Sequence, residues 1–492
     1  MKIKKLAAAT LTGVMAMSQA SMIFADTPTV PAVNTTPAAS IPGTPEGTTM
    51  PLDYARLQAE FIYLWGWPMA NTHNRIVTIG KAPEPGLQGG ILPVAPNNHL
   101  SMLTDYLDPA QRFVAAPNQD VVYGMSTLRL DKEPVVVQVP DFGKRFWVFQ
   151  LADQRTDGFG KLGSMYNSKP GFYLLVGPDW KGTVPKGIEA VFRSPTQGGF
   201  VLPRLFVDDT PQDKQAIQPL INGIGVYPLS KFDGKVKITD WSKLPKFPAA
   251  AGSSGETQWV DPDGFFDLLP TLLDEVPPLP GEEAIYTQAR SLLAAAKRDP
   301  AVMDVLKEVA QTTEKDMIKA QLFEWRNQGL RLPTGWTMQV NAAQWGTDYL
   351  TRMSAAKANI FSNAPNETMY YALDLGPDGK RLNGKNDYTI TFPEGGVPVK
   401  GFWSLTMYNK EHFFEPNDIN RYSVGTKNKD LNFAQDGSLT IYLSHKKPKD
   451  PVKAANWLPS PKGEFSIYIR AYWPEQVIVN RQWIPPAVVK GR

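Results

Sequence analysis

The chain has 492 residues, more than one ordinary hydrophobic core accommodates, so at least two domains are expected. Hydrophobic residues make up 42% and aromatic residues 11%, enough for substantial cores, and a formal charge of +3 gives no reason to expect a nucleic acid or an anionic membrane surface as partner. Cysteine is absent, which excludes disulfides, thiolate metal sites, a lipoprotein anchor and a cysteine nucleophile together.

Residues 1–25 read as a signal peptide. Lys2, Lys4 and Lys5 precede an apolar run from Leu6 to Met17, and small residues suited to cleavage end Ser18-Gln19-Ala20 and Ile23-Phe24-Ala25, the later site being preferred. The mature protein is therefore expected to be periplasmic or secreted. Later in the chain no stretch reaches the roughly 18 to 20 apolar residues of a membrane span, so no integral membrane segment is expected. Residues 26–50, rich in Pro and Thr, are expected to be a disordered linker.

An N-terminal β domain is expected over 51–232. It opens with one amphipathic helix, with Leu57, Phe61 and Leu64 at helical spacing, ended by Pro68. Gly and Pro punctuate Lys81 to Asn98 as a long loop. Short strands follow at Val121–Leu130, Pro134–Pro140, Arg145–Leu151, Gly171–Val176 and Ile188–Arg193, and Pro211–Ile221 reads as a short helix. Strands split by Gly and Pro without intervening helices favour antiparallel pairing in a sandwich.

A helical connecting region is expected over 233–350. Gly252-Ser253-Ser254-Gly255 is a linker, Phe265 to Leu273 and Glu282 to Arg298 are helical, and Asp299-Pro300 starts another helix that runs on towards Trp325. A second β domain is expected over 351–492. Val399 to Asn409 alternates, with Val399, Trp403, Leu405 and Met407 on one side and Phe402, Ser404, Thr406 and Tyr408 on the other. Ser438–Ser444 and Phe465–Tyr472 alternate in the same way. The fold class is mainly β with helical insertions: two antiparallel β-sandwich, jelly-roll-like domains joined by a helical segment.

Two sets of motifs occur together. The first comprises Pro117-Asn118-Gln119-Asp120, Val139-Pro140-Asp141, Leu151-Ala152-Asp153 and Gly177-Pro178-Asp179-Trp180. The second comprises Gly401 to Tyr408, Asn420-Arg421-Tyr422-Ser423, Asp436-Gly437-Ser438-Leu439, Asn456-Trp457-Leu458-Pro459 and Arg470 to Pro474. Over nearly the whole chain from Leu52 onward this resembles the two-domain family built from domains of unknown function 1254 and 1214. The resemblance implies two jelly-roll-like domains joined by helices, and no activity.

No Gly-x-Ser-x-Gly elbow, phosphate-binding loop, dinucleotide fingerprint or His-Glu-x-x-His motif occurs. His73, His99, His412 and His445 are scattered. The His412–Glu415 spacing suits a ligand pair, but a surface or half-buried structural His is the better reading, so no metal and no cofactor are predicted. Two candidate sites stand out. In the first, Asp120, Asp153, Asp157 and Arg155 converge if their strand ends are neighbours, as acid–base catalysis would require; the competing reading has them capping turns and pairing with arginines. In the second, a hydroxyl-rich face on the side of Tyr408 also carries Thr440, Tyr442, Tyr468, Arg470 and Tyr472, with Arg421, Asn456 and Trp457 at its rim. That composition suits a ligand surface and equally a solvated sheet face. The leading expectation is an exported protein that binds a small or amphiphilic ligand. The alternatives are a carboxylate-dependent hydrolase or lyase and an envelope assembly protein, with a homo-oligomer as a further possible partner arrangement.

Overall fold

The computed structural model describes residues 41–249 and 256–491. The expected signal peptide with its cleavage positions, residues 26–40 of the expected linker and the Gly252–Gly255 stretch lie outside them.

The first element is α1 (Leu52–Ile79). It does not stop at Pro68. Proline withholds an N–H from the Leu64 carbonyl, but both sides of that break are buried, from Ile62 to Trp67 and from Met69 to Thr72, and packing outweighs the lost bond. Thr72 Oγ1 also donates to the Gln154 carbonyl at 2.7 Å, fixing the second half of the helix to the β region. The expected loop from Lys81 to Asn98 contains a small hairpin, β1 (Gly86–Gln88) and β2 (Leu92–Val94).

Nine more strands follow before the helical block. These are β3 (Ser101–Met102), β4 (Val121–Arg129), β5 (Val135–Val139), β6 (Trp147–Asp153), β7 (Gly171–Val176), β8 (Ile188–Arg193), β9 (Gly198–Phe206), β10 (Gly225–Pro228) and β11 (Lys246–Phe247). Two short helices, α2 (Pro211–Ala216) and α3 (Gln218–Asn222), lie between β9 and β10; Thr210 caps the first and Pro211 opens it. The strands form one sheet in the order β3-β4-β9-β6 and another in the order β10-β5-β7-β8. Val122 and Leu128 of β4, Phe149 and Leu151 of β6, and Val201 and Leu205 of β9 share a core with Val135 and Val137 of β5 and Leu175 of β7. Pairing is not purely antiparallel: β7 and β8 run parallel, because the long connection from Gly177 to Gly187 carries the chain back to the starting end.

The helical block contains α4 (Phe265–Glu275), α5 (Glu283–Arg298) and α6 (Pro300–Thr313), the last capped by Asp299, whose carboxylate accepts the Ala301 N–H at 3.0 Å. Beyond Thr313 the helix widens into a π-helical stretch, Glu314–Leu322, instead of running to Trp325. The buried Glu314 carboxylate accepts bonds from Tyr63 Oη at 3.0 Å and Trp67 Nε1 at 2.8 Å, both on α1. So α1 packs with α4, α5 and α6 in one helical core although it precedes the first β region.

The last part comprises β12 (Leu330–Arg331), β13 (Thr337–Met338), α7 (Tyr349–Ala358), β14 (Thr368–Leu373), β15 (Tyr388–Phe392), β16 (Val399–Asn409), β17 (Ser423–Gly425), β18 (Leu439–Ser444), α8 (Pro451–Ala455), β19 (Trp457–Pro459), β20 (Phe465–Pro474), α9 (Gln476–Val479) and β21 (Val489–Lys490). One sheet runs β12-β13-β14-β20-β16-β17 and the other β19-β18-β15-β21, with β18 and β19 parallel. Leu405, Met407, Ile467 and Ile469 of the first share a core with Ile390, Ile441 and Leu443 of the second. No sheet closes on itself among the described residues, and the fold is β-rich, with antiparallel and mixed sheets and helices.

The two β regions meet back to back. The side of β4-β9-β6 turned away from its own core packs against the side of β14-β20-β16 turned away from its own. Val121, Phe146 and Val148 lie against Phe402 and Tyr472. The Phe146 ring meets those of Phe402 and Tyr472 edge-on, at 5.2 and 5.6 Å between centroids. The Tyr408 face is therefore neither a solvated surface nor an outer rim. It is one wall of a seam.

Candidate functional site

The loop from Val114 to Asp120 enters this seam, and the C-terminal sheet grips it at nearly every residue. Ala116, at φ +49°, donates its N–H to the His412 carbonyl at 2.8 Å and accepts from Arg470 Nη2 at 2.7 Å. Tyr408 Oη donates to the Pro117 carbonyl, and Asn118 Nδ2 donates to Tyr472 Oη at 2.8 Å. The Asp120 carboxylate accepts from Ser404 Oγ at 2.6 Å and Ser423 Oγ at 3.0 Å, with Lys427 Nζ at 3.8 Å. Asp120 and Lys427 are both buried, so this is an interior ion pair with hydroxyl support.

Beside the loop lies a cavity of ≈ 80 Å³. Leu92, Leu107, Val114, Met125, Leu202 and Phe361 make its walls apolar. Asn118, Tyr123, Asn359 and Tyr370 also line it, with two arginines, Arg204 of β9 and Arg470 of β20. The arginines are 4% and 2% exposed. Alternation explains their placement. In β9 the neighbours of Arg204 on its own side are Leu202 and Phe206, and in β20 those of Arg470 are Tyr468 and Tyr472, so each guanidinium is carried into the seam with an aromatic or aliphatic row.

Neither guanidinium pairs with a carboxylate among the described residues. Arg204 Nη2 donates to Gln150 Oε1 and to the Phe361 carbonyl, both at 2.6 Å, and Nη1 to Asn363 Oδ1, while Nε has no partner. Asn363 stands between Arg204 and the buried Glu367, to which it donates at 2.8 Å. Arg470 Nη1 donates to Thr406 Oγ1 at 3.1 Å, and its guanidinium lies 4.7 Å from the Tyr468 ring centre. Burial by itself lowers an arginine pKa. Both guanidiniums nevertheless keep their charge, because arginine is not deprotonated in proteins and the balance here moves both pKa values up, not down. Burial also raises the pKa of Tyr123, Tyr408, Tyr468 and Tyr472, so these phenols stay neutral. The result is an apolar cavity with two positive charges in its lining and neutral polar side chains beside them.

The carboxylates singled out for catalysis do not converge. Strands β4 and β6 flank β9 and run the same way, so Asp120, just before β4, and Asp153, at the end of β6, lie at opposite ends of the sheet. About seven residues of strand separate those levels, roughly 23 Å. Asp153 Oδ1 accepts the N–H groups of Arg155 at 2.8 Å and Asp157 at 2.9 Å, a turn cap. Asp157 accepts from the Trp345 N–H at 2.8 Å and from Arg352 Nη2 at 2.7 Å; Arg155 donates to the Pro277 carbonyl and to Tyr286 Oη at 3.2 Å, and lies 3.5 Å from Glu282. Asp157 and Arg155 thus tie the β region to the helices, and Asp153 holds the turn that carries them. Burial, followed by the neighbouring Asp157 charge, raises the Asp153 pKa to about 7.

The second candidate set divides. Tyr408, Tyr468, Arg470 and Tyr472 share the seam, with Arg470 lining the cavity. Thr440 and Tyr442 belong to β18, on the other sheet, and face away across the core, so they join no common surface with Tyr408. Asn456 and Trp457 are buried beside them: Asn456 bonds the Asn432 and Thr440 carbonyls at 2.7 and 3.0 Å, and Trp457 Nε1 the Ser444 carbonyl at 2.9 Å. Arg421 holds the Ala455 carbonyl at 2.7 Å. His412 is fully buried, not at the surface, and its ring lies between Phe323 and Trp325 at 4.2 and 4.0 Å with both nitrogens unpartnered. No group of three or more possible metal ligands occurs among the described residues.

Arg204, Asn118, Tyr123, Asn359 and Tyr370 are site residues that a search for catalytic motifs passes over. The signal for Arg204 is its setting: a lone charge in Phe200-Val201-Leu202-Pro203-Arg204-Leu205-Phe206, on the parity of Leu202 and Phe206.

Comparison with known proteins agrees with the two-part architecture. Residues 97–228 match the family described as "Protein of unknown function (DUF1254)" and residues 367–476 the family described as "Protein of unknown function (DUF1214)". No curated protein matches the chain. The crystal structure of the VPA0106 protein from Vibrio parahaemolyticus is similar in fold, with a TM-score of 0.61 at 19% identity over 89% of this chain and 100% of that one. An uncharacterized protein from Burkholderia cenocepacia gives a TM-score of 0.40 at 13% identity over 89% of this chain and 93% of that one. The chain thus carries a DUF1254 region followed by a DUF1214 region, in that order along one polypeptide.

Proposed function

We propose that this is an exported binding protein for a small amphiphilic anion, a carboxylate with an apolar tail, held in the seam between its two β regions. The observation that carries this reading is the pair of buried guanidiniums, Arg204 and Arg470, which line one apolar cavity without a carboxylate partner. An unpaired buried charge is costly, and two of them facing one cavity favour an incoming anion over any neutral guest. The Arg204 Nε, which has no partner, and the Tyr123 hydroxyl, which accepts from Asn118 Nδ2 and keeps its own hydrogen, supply directional bonds to oxygen. Apolar walls exclude water and favour an alkyl group. In this reading each β region is a jelly-roll-like sandwich, and export follows from the N-terminal signal pattern.

Butanoate tests the proposal, with butyramide as its neutral counterpart. Calorimetry should show saturable 1:1 binding of butanoate and none of butyramide. Arg470→Gln and Arg204→Gln should each weaken butanoate by at least tenfold while far-ultraviolet circular dichroism stays unchanged. Equal binding of acid and amide, or no binding of either, would refute it.

A further inference from the structure

The cavity is too small for a long ligand. At ≈ 80 Å³ it offers roughly six water-sized positions, enough for a carboxylate and two or three carbons. A second, larger concavity of ≈ 650 Å³ lies next to it. Ile79 at the end of α1, Val94, Phe113, Phe247 and Trp259 give that groove an apolar lining. The two spaces share a wall. Leu92 of β2 lines both, and the chain alternates around it: Pro93 faces the cavity and Val94 the groove, while Phe113 faces the groove and Val114 the cavity. Leu92, Phe113, Met125, Leu202 and Phe361 also belong to one apolar cluster that runs from groove to cavity.

We infer that the Leu92 side chain is the partition between a headgroup site and a tail site, so that the ligand class is a free monocarboxylic acid with a medium-length alkyl chain. This rests on the anion-binding reading above. The carboxylate would sit between Arg204 and Arg470, and carbons beyond about the fourth would pass Leu92 into the groove. Leucine suits this place: it closes the cavity when the ligand is short, and its unbranched Cβ lets χ1 turn aside where valine or isoleucine would be held.

A chain-length series from butanoate to dodecanoate, titrated calorimetrically below the micellar range, tests the inference on the unaltered protein. Affinity should rise about fourfold for each added methylene from hexanoate to decanoate. Ala82→Trp, at a residue that lines the groove and not the cavity, should leave butanoate within twofold of wild type and cancel the gain for decanoate, whereas Leu92→Ala should retain that gain. Butanoate binding with a flat response to chain length, or decanoate binding that Ala82→Trp leaves unchanged, would overturn the partition and leave the anion site standing. Absence of binding across the whole series would overturn both.

Discussion

At the scale of single residues, the seam turns on charges that have lost water. Asp120→Ala would leave Lys427 buried without its carboxylate and Ser404 and Ser423 without an acceptor. Loss of one partner of such a pair costs about 3–5 kcal/mol. The Asp120→Ala/Lys427→Met double variant should recover most of this, a coupling that a double-mutant cycle in urea measures directly. His412 makes a prediction about pH. Burial, then the Arg381 and Lys357 charges, hold its pKa well below the ordinary histidine value. The unfolded chain takes up a proton near pH 6.5 and the folded chain does not, so this group lowers stability as pH falls below about 6.5 and has no effect above it. Phenylalanine would keep the stack on Phe323 and Trp325 and forfeit no hydrogen bond. His412→Phe should therefore match wild type at pH 8 to within about 1 kcal/mol and exceed it at pH 5.5, as denaturant titrations at the two values will show. Neither outcome could be inferred from sequence. His412 looks like any loop histidine there, and nothing within twenty residues of Asp120 except its motif suggests a partner as distant as Ser404.

At the scale of elements, alternation told truly which side of each strand is apolar and said nothing about which sheet the strand joins. That is why Tyr408 and Tyr442 look alike in sequence and lie on opposite sides of a core. The period also missed the continuation of α1 past Pro68, because propensity is local and the burial from Met69 to Ile76 is tertiary. The capped start of α6 at Asp299-Pro300 was legible because cap chemistry is local. Strand β17 offers the sharpest test at this scale. A Cβ on Gly425 would collide with the Trp403 carbonyl, a backbone atom that cannot turn aside. Gly425→Ala should push β17 off β16 and withdraw Ser423 from Asp120. A loss of about 2 kcal/mol or more is expected, with the urea midpoint falling at an unchanged slope.

At the scale of the whole molecule, three cores are joined by shared elements rather than by linkers. α1 packs with the helices through its first half and meets the β4-β9-β6 sheet through Ile76 and Ile79, and the seam joins that sheet to the last one. The chain should therefore unfold in one calorimetric transition, with equal van't Hoff and calorimetric enthalpies. The domain order was readable from motifs. The back-to-back packing was not, because the Tyr face has the composition of a wet sheet surface and only the opposing sheet shows that it is dry. An anion that binds at the seam touches both regions, so 100 times its dissociation constant should stabilise the entire transition by about 2.7 kcal/mol.

The loop from Val114 to Asp120 also implies a schedule. Its acceptors and donors lie far ahead on the chain: Ser404 is 284 residues beyond Asp120, and Tyr472 is 354 beyond Asn118. At the ordinary pace of synthesis, about 5–20 residues per second, the loop waits on the order of 14–57 s for Ser404 to be made. The first sheet can form in that interval, but the surface it turns toward Phe402 and Tyr472 stays wet until β16 and β20 exist. The seam consequently keeps its water until nearly the whole chain has been made.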